Sequence, residues 1–129
     1  DQYKDKNVRF VFRQFPLSQH EHARLAASAS VAANAQGKFW EYHNTLFEHQ
    51  TNLNQEDLVV YAKNIGLDVE KFTKDLNATE FANIVQRDVT DGNALGINST
   101  PTVFIDNVQY KGKYSVKDMS AVIESELAK

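Results

Sequence analysis

The spacing of apolar positions divides the chain into a β-patterned start, a long helical middle and a finish of two short strands and a helix. In VRFVFRQF, Val8, Phe10 and Phe12 alternate with Arg9, Val11 and Arg13. Such a run of β-branched and aromatic residues predicts a strand over Val8 to Phe15, ended by Pro16, which has no N–H for a ladder. HEHARLAASASVAANAQGK then places Ala23, Ala26, Ala27, Ala29, Ala32 and Ala33 at helical spacing. A helix with so small a face lets a neighbouring backbone come close. After Gly37, the residues Phe39, Tyr42, His43, Leu46 and Phe47 form one broad stripe and predict a second helix.

Stop and start signals delimit the rest. Asn54 is placed to cap a helix that buries Leu58, Tyr61, Ala62 and Ile65 and closes at Gly66. Asp68 is placed to cap a short helix holding Phe72 and Leu76. Glu80 to about Leu95 reads as a longer helix with Phe81, Ile84, Val85 and Val89 inward. PTVFIDNVQYKG predicts two strands joined by a tight Asp-Asn turn, and Ser115 with Asp118 three residues later predicts the start of a last helix. Neither an internal repeat nor a low-complexity linker interrupts this order.

Composition narrows the function classes. One domain is the natural reading of 129 residues, and a chain of this length buries roughly two-thirds of its unfolded surface. Fourteen basic against seventeen acidic residues, with no basic block, argue against nucleic acid as a partner. No apolar run approaches the roughly 18 to 20 residues that cross a bilayer, and the polar opening DQYKDKNVRF does not read as a signal peptide, as a mature or trimmed chain also would not. The chain contains no cysteine, which excludes disulfides, thiolate metal sites and a cysteine nucleophile within these residues.

FPLSQHEHARLAASASVAANAQGKFWEYHNTLFEHQ, followed by LGINSTPTVFIDNVQYKG, resembles the DsbA-like branch of the thioredoxin superfamily, the bacterial thiol–disulfide oxidoreductases. The resemblance runs from Val8 to about Leu127. It implies an α/β fold: a thioredoxin core with a helical domain inserted, residues 1–19 and 96–129 belonging to the core and 20–95 mainly to the insertion, all within a single domain 1–129. Val8 to Phe15 would be the second core strand, with Pro101–Asp106 and Val108–Gly112 the third and fourth. Pro101 matches the family's cis-proline. Sequence physics alone leaves cis and trans both open at Thr100–Pro101, since proline is the residue whose preceding peptide adopts cis at modest cost. The resemblance implies cis, with Ser99, Thr100 and Pro101 as a loop to which an extended peptide adds as a strand.

The family's chemistry uses a C-x-x-C pair at the start of its first core helix, where the helix N-terminus lowers a thiol pKa for exchange through a mixed disulfide. That pair is absent here, and no Ser, His or Lys takes over a redox role. The expectation is therefore an incomplete thioredoxin-like fold, truncated at its start, lacking the first core strand and active-site helix and inactive alone. Tyr3 would lie near the end of that helix. The implied partners are cysteine-containing polypeptides and a redox partner of the parent protein, in a periplasmic or otherwise extracytoplasmic bacterial compartment. No cofactor is implied. The gap left by the lost strand predicts that the flanking strands close up or that a second copy supplies an edge, making a homo-oligomer.

Other residues invite chemistry less. His20 and His22 form an H-x-H without a third ligand, so no metal site is expected. Phe39 and Trp40 are read as core rather than as a stacking platform, and Arg9 and Arg13 as a solvated sheet face. Two other function classes stay open. One is a non-catalytic thioredoxin-like module that binds peptides or dimerises; the other is a relative of the kappa-class glutathione transferases, which share the architecture without needing a cysteine pair.

Overall fold

The computed structural model describes all 129 residues, Asp1–Lys129. The elements run α1 (Ala23–Ala35), α2 (Phe39–Glu48), α3 (Gln55–Asn64), α4 (Val69–Leu76), α5 (Thr79–Ala94), β1 (Phe104–Ile105), β2 (Val108–Gln109) and α6 (Val116–Leu127). The fold is mostly helical, with one small antiparallel sheet. The chain forms two compact units, Arg13–Asn98 on one hand and Asp1–Phe12 with Ser99–Lys129 on the other.

The helical unit is built around α1. Eight consecutive residues, Ala26 to Ala33, are buried, so this helix is enclosed nearly all round. Its alanines are small enough to let α2, α3, α4 and α5 pack against it. One side joins Ala26, Ala29, Ala32 and Ala33 to Tyr42, Leu58, Tyr61, Phe72 and Leu76. The other joins Ala27 and Val31 to Val85, with Phe81, Ile84 and Val89 at its margin. The two polar residues in this buried stretch do not break it. Ser30 Oγ donates to the Ala27 carbonyl at 2.7 Å and accepts from Gln14 Nε2 at 2.7 Å.

Local signals set the helix starts. Asn54 accepts from the Asp57 N–H at 2.9 Å, Asp68 from the Lys71 N–H at 3.0 Å and Ser115 from the Asp118 N–H at 3.1 Å. The Gln36 side-chain amide makes two bonds to Asp68, donating to its carbonyl and accepting from its N–H, and so ties the end of α1 to the start of α4.

Three expectations are corrected. Val8 to Phe15 is not a strand of the structure: the paired segments are Phe104–Ile105 and Val108–Gln109. β-propensity is a weak local preference that the rest of the chain can override. The sheet is the two-stranded β1–β2 hairpin. Trp40 is 43% exposed, and the fully buried ring of α2 is Tyr42. Phe39, Trp40, His43 and Phe47 touch ring to ring along α2, the first two contacts edge-on, with centroids 4.7 to 5.4 Å apart from one to the next. Arg13 does not lie free on a sheet face. Its Nε and Nη2 donate at 2.6 Å to Asp88 and Asp91 on α5, which hold its guanidinium more firmly protonated. Asp88 also accepts from the Gln14 N–H at 2.9 Å.

This clamp brings Phe15 onto α5 at Gly92, where a Cβ would lie 2.6 Å from Phe15 Cε2. Gly92→Ala is expected to lower stability by about 1–3 kcal/mol in denaturant unfolding despite alanine's better helix propensity, and Phe15→Leu in the same chain to recover part of it.

Tyr42 Oη donates to the Leu58 carbonyl at 2.9 Å in the core. Burial pushes its phenol well above the usual tyrosine value, with a smaller contribution from Tyr61. Below pH of about 10 the folded and unfolded states both keep this proton, and its contribution to stability is complete. Above that the unfolded chain releases the proton first, so stability falls by up to about 1.4 kcal/mol per pH unit. Chemical denaturation at rising pH is expected to show this loss, and to show a shallower one in Tyr42→Phe, which starts about 1 kcal/mol less stable for want of the hydrogen bond.

Candidate functional site

The hairpin and the loop that enters it carry the site. Asp106 and Asn107 take φ of 47° and 67°, the left-handed pair that a two-residue hairpin turn demands and that Asp and Asn tolerate best. Phe104 then faces Gln109 and Ile105 faces Val108, and the ladder continues with the Tyr110 N–H donating to the Val103 carbonyl at 2.8 Å.

Immediately before β1 lie Ser99, Thr100 and Pro101, all three exposed. The Thr100–Pro101 peptide is cis. Thr102 Oγ1 donates to the Ser99 carbonyl at 2.7 Å and closes the loop on itself. Neither the N–H nor the C=O of Thr100 enters a main-chain hydrogen bond. The loop thus brings the three residues singled out from sequence into one short exposed stretch whose middle residue has an unengaged donor and acceptor.

Sequence reasoning missed what braces this loop. Tyr114 Oη donates to the Pro101 carbonyl at 3.1 Å. Tyr110, the buried residue of this unit, donates from Oη to the Lys113 carbonyl at 2.7 Å and closes the corner after β2. Its phenol is held above the usual value, chiefly by burial. The two rings lie 6.0 Å apart, tilted by 34°. Gly112 sits in the corner where a Cβ would come within 2.6 Å of Tyr110 Cζ. The signal was present as YKGKY, two tyrosines four apart around a glycine. A hairpin reading assigns such residues to strand and turn and not to a hydroxyl reaching back thirteen positions. Ser115, next in the chain, caps α6 through the Asp118 N–H and donates to its carboxylate at 2.5 Å, so Tyr114 leaves the corner at a fixed point.

Elsewhere the chemistry is sparse. No three His, Asp or Glu side chains gather to hold a metal; His20 and His22 are exposed at the entry to α1. The open depression beside α4 is lined by Asp68, Glu70, Lys71, Lys74 and Asp75, where Lys71 and Asp75 already pair. No helix is long and apolar enough to cross a membrane.

Gly112→Ala is expected to move Tyr110 out of the corner. Its hydroxyl bond to Lys113 would be lost, the amide resonances of Lys111 to Tyr114 would shift, and the melting temperature would fall while the helical signal of the larger unit stays.

The family model described as Thioredoxin matches residues 1–125. Among solved structures, a thioredoxin-like oxidoreductase from Silicibacter pomeroyi DSS-3 superposes with a TM-score of 0.83 at 26% identity, over 97% of this chain and 72% of that one. Two curated relatives are the Na(+)/H(+) antiporter NhaA 1 of Salinispora arenicola, 36% identical over 95% of this chain, and the Na(+)/H(+) antiporter NhaA of Herminiimonas arsenicoxydans, 38% identical over 92%. The chain spans 19% of the length of each of these two proteins.

Proposed function

Since this chain belongs to the thioredoxin family, we propose that it serves a DsbA-like thiol–disulfide oxidoreductase as the part that presents a cysteine-containing polypeptide in extended form. The observation that carries this reading is the exposed Thr100 with its free main-chain N–H and C=O, between Ser99 and Pro101. An extended peptide gains two hydrogen bonds by pairing with such a residue, whatever its side chains are. The thiolate that attacks a disulfide is not among these 129 residues, which contain no cysteine; in this reading the redox pair lies outside them, and the exchange follows the usual mixed-disulfide route. The polypeptide substrate, a redox partner and an oxidising extracytoplasmic setting form part of the same proposal.

The antiporter name of the curated relatives describes proteins of which the matched stretch is 19%, and this chain offers no helix able to cross a membrane. Ion transport is therefore not assigned to these residues. A second reading is favoured by the lack of cysteine itself: a thioredoxin-like module that binds peptides with no redox chemistry of its own.

Titration with acetyl-Val-Ala-Ser-Ala-Val-amide, serine standing in for cysteine, is expected to shift the Thr100 and Thr102 amide resonances, and the same peptide N-methylated at serine to lose that effect. Binding that ignores N-methylation, or shifts confined to the helical unit, would count against main-chain pairing at Thr100. The two readings separate in an insulin-reduction assay, where the cysteine-free chain is expected to give no turnover and a protein carrying it together with a C-x-x-C segment to give turnover only under the first.

A further inference from the structure

The hydrogen-bonding groups of the Ser99–Pro101 loop are unequally available. The Ser99 carbonyl is taken by Thr102 Oγ1 and the Pro101 carbonyl by Tyr114 Oη, at 2.7 and 3.1 Å. Proline has no N–H to offer. Thr100 is left as the residue whose donor and acceptor are both open to a visiting chain. We propose that Tyr114 is a positioning residue for peptide binding: by holding the Pro101 carbonyl it leaves one donor–acceptor pair on the loop and so sets the register in which an extended peptide pairs. This rests on the peptide-binding reading above.

Three observations separate this role from plain packing. Tyr114 is 54% exposed, so its ring contributes little to a core, while its hydroxyl reaches a carbonyl thirteen residues back. The ring is held from both sides in sequence, by the Tyr110–Lys113 corner before it and the Ser115 cap after it. The bond also falls on the residue adjoining Thr100 and not at a distant point of the hairpin. Register has consequences in strand addition, because a slip of one residue turns every side chain of the added strand to the opposite face. A second acceptor freed at Pro101 would compete with Thr100 and admit more than one pairing.

The test uses Tyr114→Phe in the full chain, which keeps the ring and removes the donor. The probe is acetyl-Val-Ala-Ser-Ala-Val-amide, with and without a nitroxide at its N-terminus. In the absence of peptide the Pro101 carbonyl carbon resonance is expected to move. With peptide, affinity is expected to fall about five- to tenfold, the scale of one neutral hydrogen bond. Nitroxide broadening, confined to one end of the Thr100 loop in the parent, should spread to both ends. A merely structural role would weaken binding but leave the broadening on one side, and that result overturns the proposal. So does a variant that matches the parent in both readouts while the parent binds. A parent that fails to bind the probe removes the peptide-binding reading, and the proposal with it. Should Tyr114→Phe lose native amide dispersion, Tyr114→4-aminophenylalanine decides: it restores a donor and is expected to restore the single register, and a spread pattern there also overturns the assignment.

Discussion

The helical unit depends on one steric constraint, the smallness of α1. A helix enclosed by four others cannot carry large side chains on all its faces without pushing them apart. In α1 the eight buried positions are five alanines, two serines and one valine, so the bulk of the core is delivered by its neighbours. Tyr42, Leu58 and Phe72 fill one side and Val85 the other. The constraint runs outward from there. Because α1 supplies a surface and little volume, the surrounding helices must be held at their ends. The Asn54 and Asp68 caps, the Gln36 amide bridged to Asp68 and the Lys38 ammonium donating to the Ile65 carbonyl at 2.7 Å do this. Bulk placed on α1 would disturb contacts on several helices at once, since overpacking forces side chains and backbone to shift.

The unit made by Asp1–Phe12 and Ser99–Lys129 is organised by different means. Tyr110 is its buried residue, and no residue of α6 is buried. Its order comes from directional polar ties: Tyr110 to Lys113, Tyr114 to Pro101, Tyr3 Oη to the Ser120 carbonyl, and Lys6 to Glu124 at 2.9 Å. The last pair raises the lysine pKa and lowers that of the carboxylate, mainly through its hydrogen bond. Exposed ties of this kind contribute little net free energy each, but they fix geometry. A loop that binds through its main chain needs geometry more than it needs a large core.

What could be read from the sequence was what local chemistry decides. Asn54, Asp68 and Ser115 cap because their short side chains reach the N–H three residues on. The Asp106–Asn107 turn follows from two residues tolerant of positive φ between two apolar runs. The alanine spacing of α1 implied close approach, and close approach is found. What could not be read depends on partners far along the chain. Val8–Phe15 has every local mark of a strand and is not one of the two strands of the structure. Arg13 meets carboxylates 75 and 78 residues away. Trp40 shares the helical spacing of core residues yet lies 43% exposed, while Tyr42, on another side of the same helix, is the ring buried against α1 and Phe72. Periodicity names a face; it does not say how much of that face the rest of the chain covers.

The same distinction explains why the loop at Thr100 is more legible as chemistry than its brace is. Thr-Pro at the mouth of an apolar run marks itself, since proline removes a donor and the residue before it is confined to extended conformations. A tyrosine hydroxyl carries no such mark. Its long side chain lets its hydroxyl serve carbonyls well away from its own main chain, and which carbonyl is met follows from how the corner at Gly112 turns. That turn is set in turn by Tyr110, whose ring fills the place a Cβ would occupy. A glycine, a buried ring and an exposed ring therefore act as one unit, and the loop's hydrogen-bonding pattern is a consequence of the packing of a corner on which it does not itself lie.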